Sequence, residues 1–348
     1  MCSMKTLSLI VPTYNVEKYI GKCLESLSTD DSLEVLIIID GSKDNSCNIA
    51  KEFQQRYPQV FKVIEKENGH YGSCVNVGLS NARGKYIKVL DPDDYFGPHF
   101  KDYLDFLKTV DVDVVLTNAA IVDECDTITH KITFSLNSKE VSDLKSLLNS
   151  DISLIHHYEL TYRTELLRSI KYSQTQGISY TDLEWSSKPF GFAKSIVYYP
   201  ETIYYYLEGR LGATVSAEYR SKNMWMENKV VLGLVNYYME MKETIPSDNA
   251  KLLCRFISSM VSHVYYHYMV KYPGRLHNEQ ELLAFDKDLF KASEEIYSIV
   301  SSTYDQRKFG TFYYVNDFRK NKTRKSLKYF YYDSCLLINA LVRKLLKK

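Results

Sequence analysis

The sequence lacks the markers of several protein classes. Its seven cysteines are odd in number and scattered without a CxxC pair, which argues against a disulfide framework or a zinc cluster. No stretch approaches the roughly 18 uninterrupted apolar residues of a membrane-spanning helix. The formal net charge of +1 gives no sign of a nucleic-acid partner. The apolar run before Pro12 is too short for a signal peptide, so the sequence predicts a protein of the reducing cytoplasm.

The chain has 348 residues, of which 45% are hydrophobic, enough for two domains or one large domain with an extension. Its first part alternates between short apolar runs and segments with helical spacing. This alternation predicts an α/β fold with a doubly wound, mostly parallel sheet. The predicted strands cover residues 7–11, 33–39, 60–64, 85–90 and 112–122, and the predicted helices cover 16–27, 45–57, 72–82 and 161–170.

Polar residues follow three of the predicted strands. They are Thr13-Tyr14-Asn15, Asp40-Gly41-Ser42 and Asp91-Pro92-Asp93-Asp94. In doubly wound sheets the ligand binds beyond the carboxyl ends of the strands, so these three loops are expected to meet at one crevice.

The acidic turn from Asp91 to Asp94 is the strongest chemical signal. Three carboxylates within four residues repel one another unless a cation holds them. Mg²⁺ and Mn²⁺ take one or two protein carboxylates and complete their coordination with substrate phosphates and water. The residues alone also fit an ordinary turn whose exposed acids cap the next helix.

Residues 6–98 resemble the nucleotide-binding half of the family 2 glycosyltransferases, which have the GT-A fold. Four segments carry the resemblance in the order and spacing of that family: SLIVPTYNVEKYIGKCLESL, IIIDGSKDNS, ENGHYGSCVNVGLSNARGKYI and KVLDPDDYF. The resemblance implies an inverting, bacterial-type enzyme that uses a UDP-sugar and Mn²⁺ or Mg²⁺.

The resemblance also implies roles for individual residues. Asp93, with Asp91, matches the metal-binding DxD pair, and Asp91 lies nearer the ribose and sugar. Asp40 matches the acid that binds uracil. The other residues assigned to nucleotide-sugar binding are Pro12, Thr13, Tyr14, Asn15, Asn68, Asn76 and Asp94.

Two positions depart from the family pattern. Ile39 stands where the family usually has Asn or Asp. Cys74-Val75-Asn76 replaces the common Ala-Arg-Asn, so an arginine that assists the diphosphate is missing. Arg210, in a segment similar to the family's Arg-x-Gly-Ser-x-Ser, is expected to compensate by binding the diphosphate.

The segment from Tyr180 to Trp185 resembles the family's Glu-Asp-x-x-Trp/Phe motif, with Thr181 in place of the usual Glu. The resemblance makes Asp182 the general base that deprotonates the acceptor hydroxyl. Glu184 is the rival base. We interpret the histidines at positions 70, 156 and 157 as structural, because none has metal-ligand spacing to an acid.

We predict a GT-A domain at residues 1–215 and a helical region at 216–348, with main helices at 225–242, 250–270 and 279–300. Residues 319–348 contain ten Lys or Arg against one acid. With the leucines of 336–348, these charges suit either a helix that contacts anionic lipid at the inner membrane face or one that packs on its own domain or a second subunit.

The expected activity is hexosyl or N-acetylhexosaminyl transfer to a glycan, glycolipid or glycoprotein. Two alternatives stay open: a nucleotidyltransferase and a non-catalytic protein that binds nucleotides or glycans. A nucleotidyltransferase usually has an N-terminal glycine-rich loop with a basic residue, which VPTYN lacks. A non-catalytic binder would be favoured by loss of Asp93 or Asp182, and both are present.

Overall fold

The computed structural model describes residues 5–210, 216–271, 279–307 and 310–321. The chain forms two compact units. The first comprises Met1–Ser216 with Glu240–Phe256, and the second comprises Ala217–Met239 with Ile257–Lys348. The division into domains at residue 215 stays a prediction.

The strands of the described residues fall mainly in the first unit. They are β1 (Leu7–Thr13), β2 (Leu33–Asp40), β3 (Phe61–Lys66), β4 (Tyr86–Val89), β5 (Tyr95–Phe96), β6 (Val114–Val122), β7 (Ile128–Ile132), β8 (Val141–Ser142), β9 (Leu160–Arg163), β10 (Ile196–Leu207), β11 (Asp305–Arg307) and β12 (Gly310–Phe312).

The two longest α-helices of the same residues are α8, with 25 residues, and α9, with 20. They are α1 (Ile20–Glu25), α2 (Ser46–Arg56), α3 (His70–Asn81), α4 (Phe100–Thr109), α5 (Lys145–Leu148), α6 (Thr164–Ser169), α7 (Asp182–Trp185), α8 (Ala217–Met241), α9 (Ser247–Tyr266), α10 (Glu279–Ala292), α11 (Glu294–Val300) and α12 (Tyr314–Asn321). Short 3₁₀ helices cover His157–Glu159 and Lys188–Gly191, and a π-helical turn covers His267–Lys271.

The main sheet has the strand order β3-β2-β1-β4-β9-β6-β10-β5, with β7 beside β6 and β8 beside β10. Strands β3, β2, β1 and β4 run parallel to one another, and β10 runs parallel to β6. The prediction of a doubly wound, mostly parallel α/β sheet is confirmed. The carboxyl ends of β1, β2 and β4 therefore lie at one edge.

Helices cover both faces of this sheet because its central strands are apolar on both sides. All eight residues of β2 are buried. Leu9 and Val11 of β1 pack with α1, α2 and α4, whereas Ile10 between them packs with α3 and α6. Successive side chains of a strand point to opposite faces, so a continuous apolar run supplies two cores.

The prediction of a helix over residues 161–170 was wrong for its first part. Leu160–Arg163 forms β9, which lies antiparallel between β4 and β6. Leu160 and Tyr162 pack on one face, while Thr161 points to the other and accepts a hydrogen bond from the Tyr103 hydroxyl at 2.8 Å. This alternation has the period of a strand, and only the residues after Arg163 are helical.

The helices of the second unit also differ from the prediction at their ends. The predicted helix over 279–300 is broken at Ser293, whose hydroxyl accepts the backbone N–H of Ile296 at 3.2 Å and so begins α11. The predicted helix over 250–270 changes to π geometry at His267.

One buried carboxylate connects α9, α10 and α12. Asp286 of α10 accepts hydrogen bonds from the Tyr265 hydroxyl at 2.6 Å and from Arg319 Nε at 2.8 Å.

No helix in the described part of the chain is long and apolar enough to span a membrane. The basic segment 336–348 lies outside the described residues, so its predicted lipid or subunit contact stays a prediction.

Candidate active site

Asp40 lies at the carboxyl end of β2 and is almost completely buried. Its Oδ1 accepts hydrogen bonds from Lys66 Nζ and, at 2.9 Å, from the backbone N–H of Gly69. The Asn68 side chain donates to the Asp40 backbone carbonyl at 3.0 Å. Gly41 follows with a φ of 72°, and a Cβ there would lie 3.2 Å from the Asn68 nitrogen. The Asp40 carboxylate is therefore held at a fixed place on the sheet edge.

The neighbouring strand β1 ends in a loop with one exposed aromatic ring. Pro12 and Thr13 are buried within the strand, whereas the Tyr14 side chain is 49% exposed. Asn15 has a φ of 50° and accepts the backbone N–H of Lys43 at 2.8 Å, which ties the β1 loop to the β2 loop. Of the four predicted residues here, Tyr14 presents a surface on which a base can stack.

The acidic turn after β4 contains carboxylates in different environments. Asp94 is buried and accepts the Tyr204 hydroxyl at 2.6 Å and the Leu207 backbone N–H at 2.7 Å. Burial, with the neighbouring charges of Asp93 and Asp91, raises the pKa of Asp94. Asp94 thus joins the turn to β10 and does not face the crevice.

Asp93 forms an ion pair with Arg210 through Oδ2 and Nε. The guanidinium also lies over the Tyr19 ring at 5.6 Å. Burial raises the pKa of Asp93, and the charge of Arg210 opposes that rise. The arginine expected at a diphosphate thus contacts the carboxylate expected to bind metal. Residues 211–215 of its motif lie outside the described residues.

A cavity of about 180 Å³ opens beside this ion pair. It is lined by Lys18, Tyr19, Lys22, Asp93, Glu124, Asp126 and Leu207.

The two remaining acids, Asp91 and Asp182, meet at His157. His157 Nε2 lies 3.1 Å from Asp91 Oδ2, and His157 Nδ1 lies 3.7 Å from Asp182 Oδ2. Burial lowers the pKa of His157, but the adjacent Asp91 and Asp182 carboxylates outweigh this effect and raise it above its ordinary value. Asp91 Oδ1 and the Tyr71 hydroxyl are buried and have no hydrogen-bond partner among the described residues.

Asp182 and Glu184 both belong to α7, but their environments differ. The Asp182 side chain is 37% exposed. Glu184 is buried and accepts hydrogen bonds from the Thr175 backbone at 2.7 Å, from the Thr175 hydroxyl at 3.0 Å and from Lys188 Nζ at 2.6 Å. These contacts give Glu184 a structural role, so the geometry favours Asp182 as the base.

The loop before α7 packs on the start of α3. The Asn76 side chain donates to the Gln174 carbonyl at 2.9 Å and accepts the Gln174 N–H at 2.8 Å. Gly177 N–H donates to the Gly69 carbonyl at 3.0 Å, and a Cβ on Gly72 would lie 2.1 Å from the Thr175 carbonyl. Asn76 therefore links the loop of the proposed base to the helix next to Asp40.

Comparison with known proteins gives a family match for the part of the chain that contains β1 to β9. Residues 8–171 match the profile of glycosyl transferase family 2. The putative glycosyltransferase EpsH of Bacillus subtilis is 41% identical over 118 residues, or 33% of this chain and 33% of EpsH. The poly(ribitol-phosphate) beta-N-acetylglucosaminyltransferase TarS of Staphylococcus aureus is 30% identical over 230 residues, or 64% of this chain and 39% of TarS. Residues 8–171 therefore carry the sequence pattern of glycosyl transferase family 2.

Solved structures agree with this assignment at the level of the fold. The crystal structure of TarS residues 1–349 superposes with a TM-score of 0.63 at 22% sequence identity, over 85% of this chain and 84% of that one. The prediction of a GT-A fold with a helical C-terminal region is confirmed. The sequence matches cover only about a third of EpsH and 39% of TarS.

The family 2 resemblance implies a divalent cation, and the acidic turn can be tested for its fit. Asp91 supplies a buried carboxylate oxygen without a protein partner in the described residues, and Asp93 follows two positions later. No cluster of three metal-ligating side chains occurs in the described ranges. Mg²⁺ commonly uses one or two carboxylates and completes its coordination with substrate phosphates. Asp91 and Asp93 fit such a cation together with a nucleotide diphosphate.

Sequence reasoning missed His157 as a residue of this family 2 site. The 3₁₀ helix that carries it leads directly into β9, whose neighbour β4 runs towards Asp91. With residues 161–170 predicted as a helix, nothing placed His157 beside β4. The sequence signal that could have indicated His157 is the pair His156-His157 just before the alternating apolar residues of β9.

Lys88 of β4 is buried behind His157. Its Nζ donates to the carbonyls of Tyr158 at 2.6 Å and Leu160 at 3.1 Å, and so holds the backbone on both sides of Glu159. Burial lowers the pKa of Lys88 from 10.5 to about 7, against the opposing effect of Glu159. A positive charge on a lysine this deeply buried is costly, because no carboxylate forms a direct ion pair with it among the described residues.

Because the pKa of Lys88 is lowered in the folded chain, we predict that the stability difference between the wild type and Lys88→Met depends on pH. Between about pH 7 and pH 10 the unfolded chain keeps a proton on Lys88 that the folded chain loses, so wild-type stability rises with pH relative to the variant. Between about pH 7.5 and pH 9, we expect the free energy of unfolding of the wild type to rise relative to that of Lys88→Met by on the order of 1–2 kcal/mol, as measured by urea unfolding. Lys62→Met, at an exposed position of β3, is the control. A constant difference for Lys88→Met would show that Lys88 is charged throughout.

Proposed function

We propose that this protein transfers a sugar from a UDP-sugar to a hydroxyl group of a glycan, glycolipid or glycoprotein, with inversion at the anomeric carbon. The observation that carries the proposal is the contact of one buried histidine with both Asp91 and Asp182. These are the acids expected at the donor and at the acceptor, and they belong to separate sequence motifs. Their proximity is what a direct displacement requires, because donor and base must meet at one carbon.

The described residues suggest how the reaction proceeds. Tyr14 stacks on the uracil, and the second carboxylate oxygen of Asp40 accepts its imide N–H. Asp91 and Asp93 would hold Mn²⁺ or Mg²⁺, and the bound cation would supply positive charge to the diphosphate leaving group. Arg210 exchanges its contact with Asp93 for one with the diphosphate.

Asp182 completes the chemistry. Its carboxylate takes the proton of the acceptor hydroxyl while the hydroxyl oxygen bonds to the anomeric carbon and the bond to the UDP oxygen breaks on the opposite side. The side chain of Asp182 is partly exposed, which leaves room for an acceptor to approach.

The relatives support a UDP-sugar as the donor. TarS is named as an N-acetylglucosaminyltransferase that acts on poly(ribitol phosphate), and it has been solved in complex with UDP-GlcNAc. We propose N-acetylglucosamine as the first sugar to test here, ahead of other hexoses and N-acetylhexosamines. The acceptor, a location at the inner membrane face and self-association stay predictions from the sequence.

The test of this function is UDP release. The protein is incubated with Mn²⁺ and a panel of UDP-sugars, with and without glycan acceptors, and free UDP is measured. Mn²⁺-dependent release from at least one donor is expected, and an anomeric configuration opposite to that of the donor would support inversion. Absence of release from every donor, together with no binding of UDP in calorimetry, would contradict the proposal.

Asp40→Asn is expected to weaken UDP binding and to affect the chemical step less. Loss of a hydrogen bond to a charged group costs about 1.5–3 kcal/mol, or roughly 10–100-fold in affinity. Calorimetry with UDP and Mn²⁺ measures this change. Glu65→Gln is a matched control, because Glu65 is an exposed acid on the neighbouring strand that pairs with Lys51. An unchanged UDP affinity in Asp40→Asn would remove Asp40 from the base site.

A further inference from the structure

We propose that His157 is a positioning residue that connects the donor side of the site to the base, by holding the carboxylates of Asp91 and Asp182 in a fixed relation. This inference rests on the proposed sugar transfer and assigns a role to a residue that the family motifs do not include.

The geometry gives His157 one ring nitrogen for each acid. The Nε2 contact to Asp91 Oδ2, at 3.1 Å, is within hydrogen-bonding distance. The Nδ1 contact to Asp182 Oδ2, at 3.7 Å, is an electrostatic contact longer than a hydrogen bond. Catalytic contacts are often long without substrate and shorten in the reacting complex. One rigid ring thus lies between the two carboxylates, hydrogen-bonded to Asp91 and in electrostatic contact with Asp182.

The ring itself has little room to move. The His157 side chain is 8% exposed and lies edge-on to the rings of Tyr71, at 6.2 Å, and Tyr158, at 5.2 Å. A rotation that breaks either carboxylate contact would push the imidazole into one of these aromatic neighbours.

The backbone below the ring is fixed as well. Lys88 holds the carbonyls of Tyr158 and Leu160, and the buried Glu159 carboxylate accepts the N–H of His156 at 2.7 Å. These contacts close the 3₁₀ turn at both ends. The buried side chains of Lys88 and Glu159 therefore fix the 3₁₀ turn. His157 is the residue of this turn that contacts both Asp91 and Asp182.

For the proposed reaction, the contact with His157 would align the base, Asp182, with the donor side of the site at Asp91. Asp182 begins a helix of only four residues, which follows Tyr180 in a left-handed conformation with a φ of 67°. The His157 contact adds to the other contacts of Asp182 and helps to set the plane of its carboxylate relative to Asp91. Misplacement of a reacting group by about 1 Å can cost on the order of 10²-fold in rate.

The experiment compares His157→Phe, His157→Gln and the matched control His156→Gln. His156 is the adjacent histidine, with a side chain that is 48% exposed and stacked on Tyr158. For each protein, kcat and KM for UDP release are measured with the UDP-sugar that the wild type uses, and UDP affinity is measured by calorimetry with Mn²⁺.

We expect His157→Phe to lower kcat about 10–100-fold while KM and UDP affinity change little, because alignment and not donor binding is lost. His157→Gln should recover part of kcat, since its amide can contact a carboxylate, and His156→Gln should match the wild type. Melting temperatures establish that the variants are folded.

Three outcomes would overturn the inference. An unchanged kcat in His157→Phe would show that the contact is irrelevant to the reaction. Equal loss in the Phe and Gln variants, or parallel losses of kcat, UDP affinity and melting temperature, would show a purely structural role. These results differ from failure of the proposed function, in which the wild type itself releases no UDP and this inference falls with it.

Discussion

Asp93→Asn should reduce sugar transfer about 10²–10³-fold, because it removes a proposed ligand of the cation that would stabilise the negative charge of the leaving diphosphate. Asparagine keeps the shape of the side chain and leaves Arg210 a polar neighbour, so the protein should remain folded. The measurement is kcat for UDP release over a range of Mn²⁺ concentrations, where the variant should need more Mn²⁺ for its residual activity.

The control for this experiment is Glu124→Gln. Glu124 is an exposed acid that lines the same cavity as Asp93, so its loss removes the same charge without touching the acidic turn. Near-normal turnover in Asp93→Asn with an unchanged Mn²⁺ dependence would contradict the DxD assignment. A large effect in Glu124→Gln would mean that net charge in the cavity matters more than the ligand.

Asp182→Asn is expected to lower kcat for transfer about 10²–10⁴-fold, the usual contribution of a general base. UDP and Mn²⁺ binding should be retained, because the substitution keeps the shape of the side chain and leaves Asp40, Asp91 and Asp93 unchanged. Slow hydrolysis of the donor should survive in part, since water depends less on a positioned base than a sugar hydroxyl does. Single-turnover transfer and UDP calorimetry separate these effects.

Glu184→Gln provides the comparison for Asp182→Asn. Glu184 is buried in contact with Thr175 and Lys188, so its substitution leaves the Lys188 charge without its carboxylate and should lower the melting temperature more than kcat. The assignment of the base would be reversed if Asp182→Asn transferred at a near wild-type rate while a folded Glu184→Gln was inactive.

The sequence predicted the part of the fold in which the apolar runs of the sequence correspond to buried strands. The apolar run of β2 leads into Asp40, and the strand before Asp91 ends at the same sheet edge, so the sequence pattern alone assigns both acids to one crevice. This succeeded because parallel strands in a doubly wound sheet place their carboxyl ends together.

What the sequence could not supply were contacts between distant segments. The helical interpretation of residues 161–170 failed because three residues of strand alternation are too few to outweigh the helical spacing that follows them. Because of that error, the sequence did not place His157 beside β4. It also did not predict that Lys88 contacts the carbonyls of Tyr158 and Leu160. Arg210 was assigned to a diphosphate from its motif, and nothing in that motif indicated its contact with Asp93.

The contact between Asp93 and Arg210 has a consequence for how the protein is made. An acidic cluster at a strand end normally repels itself, and many small metal-binding sites fold only when their ion arrives. Here the guanidinium of Arg210 balances Asp93 from within the chain, and Tyr204 with the backbone of Leu207 satisfies Asp94. The acidic turn can therefore reach its folded arrangement without a divalent ion, and at the proposed site the ion would bind together with the negatively charged nucleotide sugar.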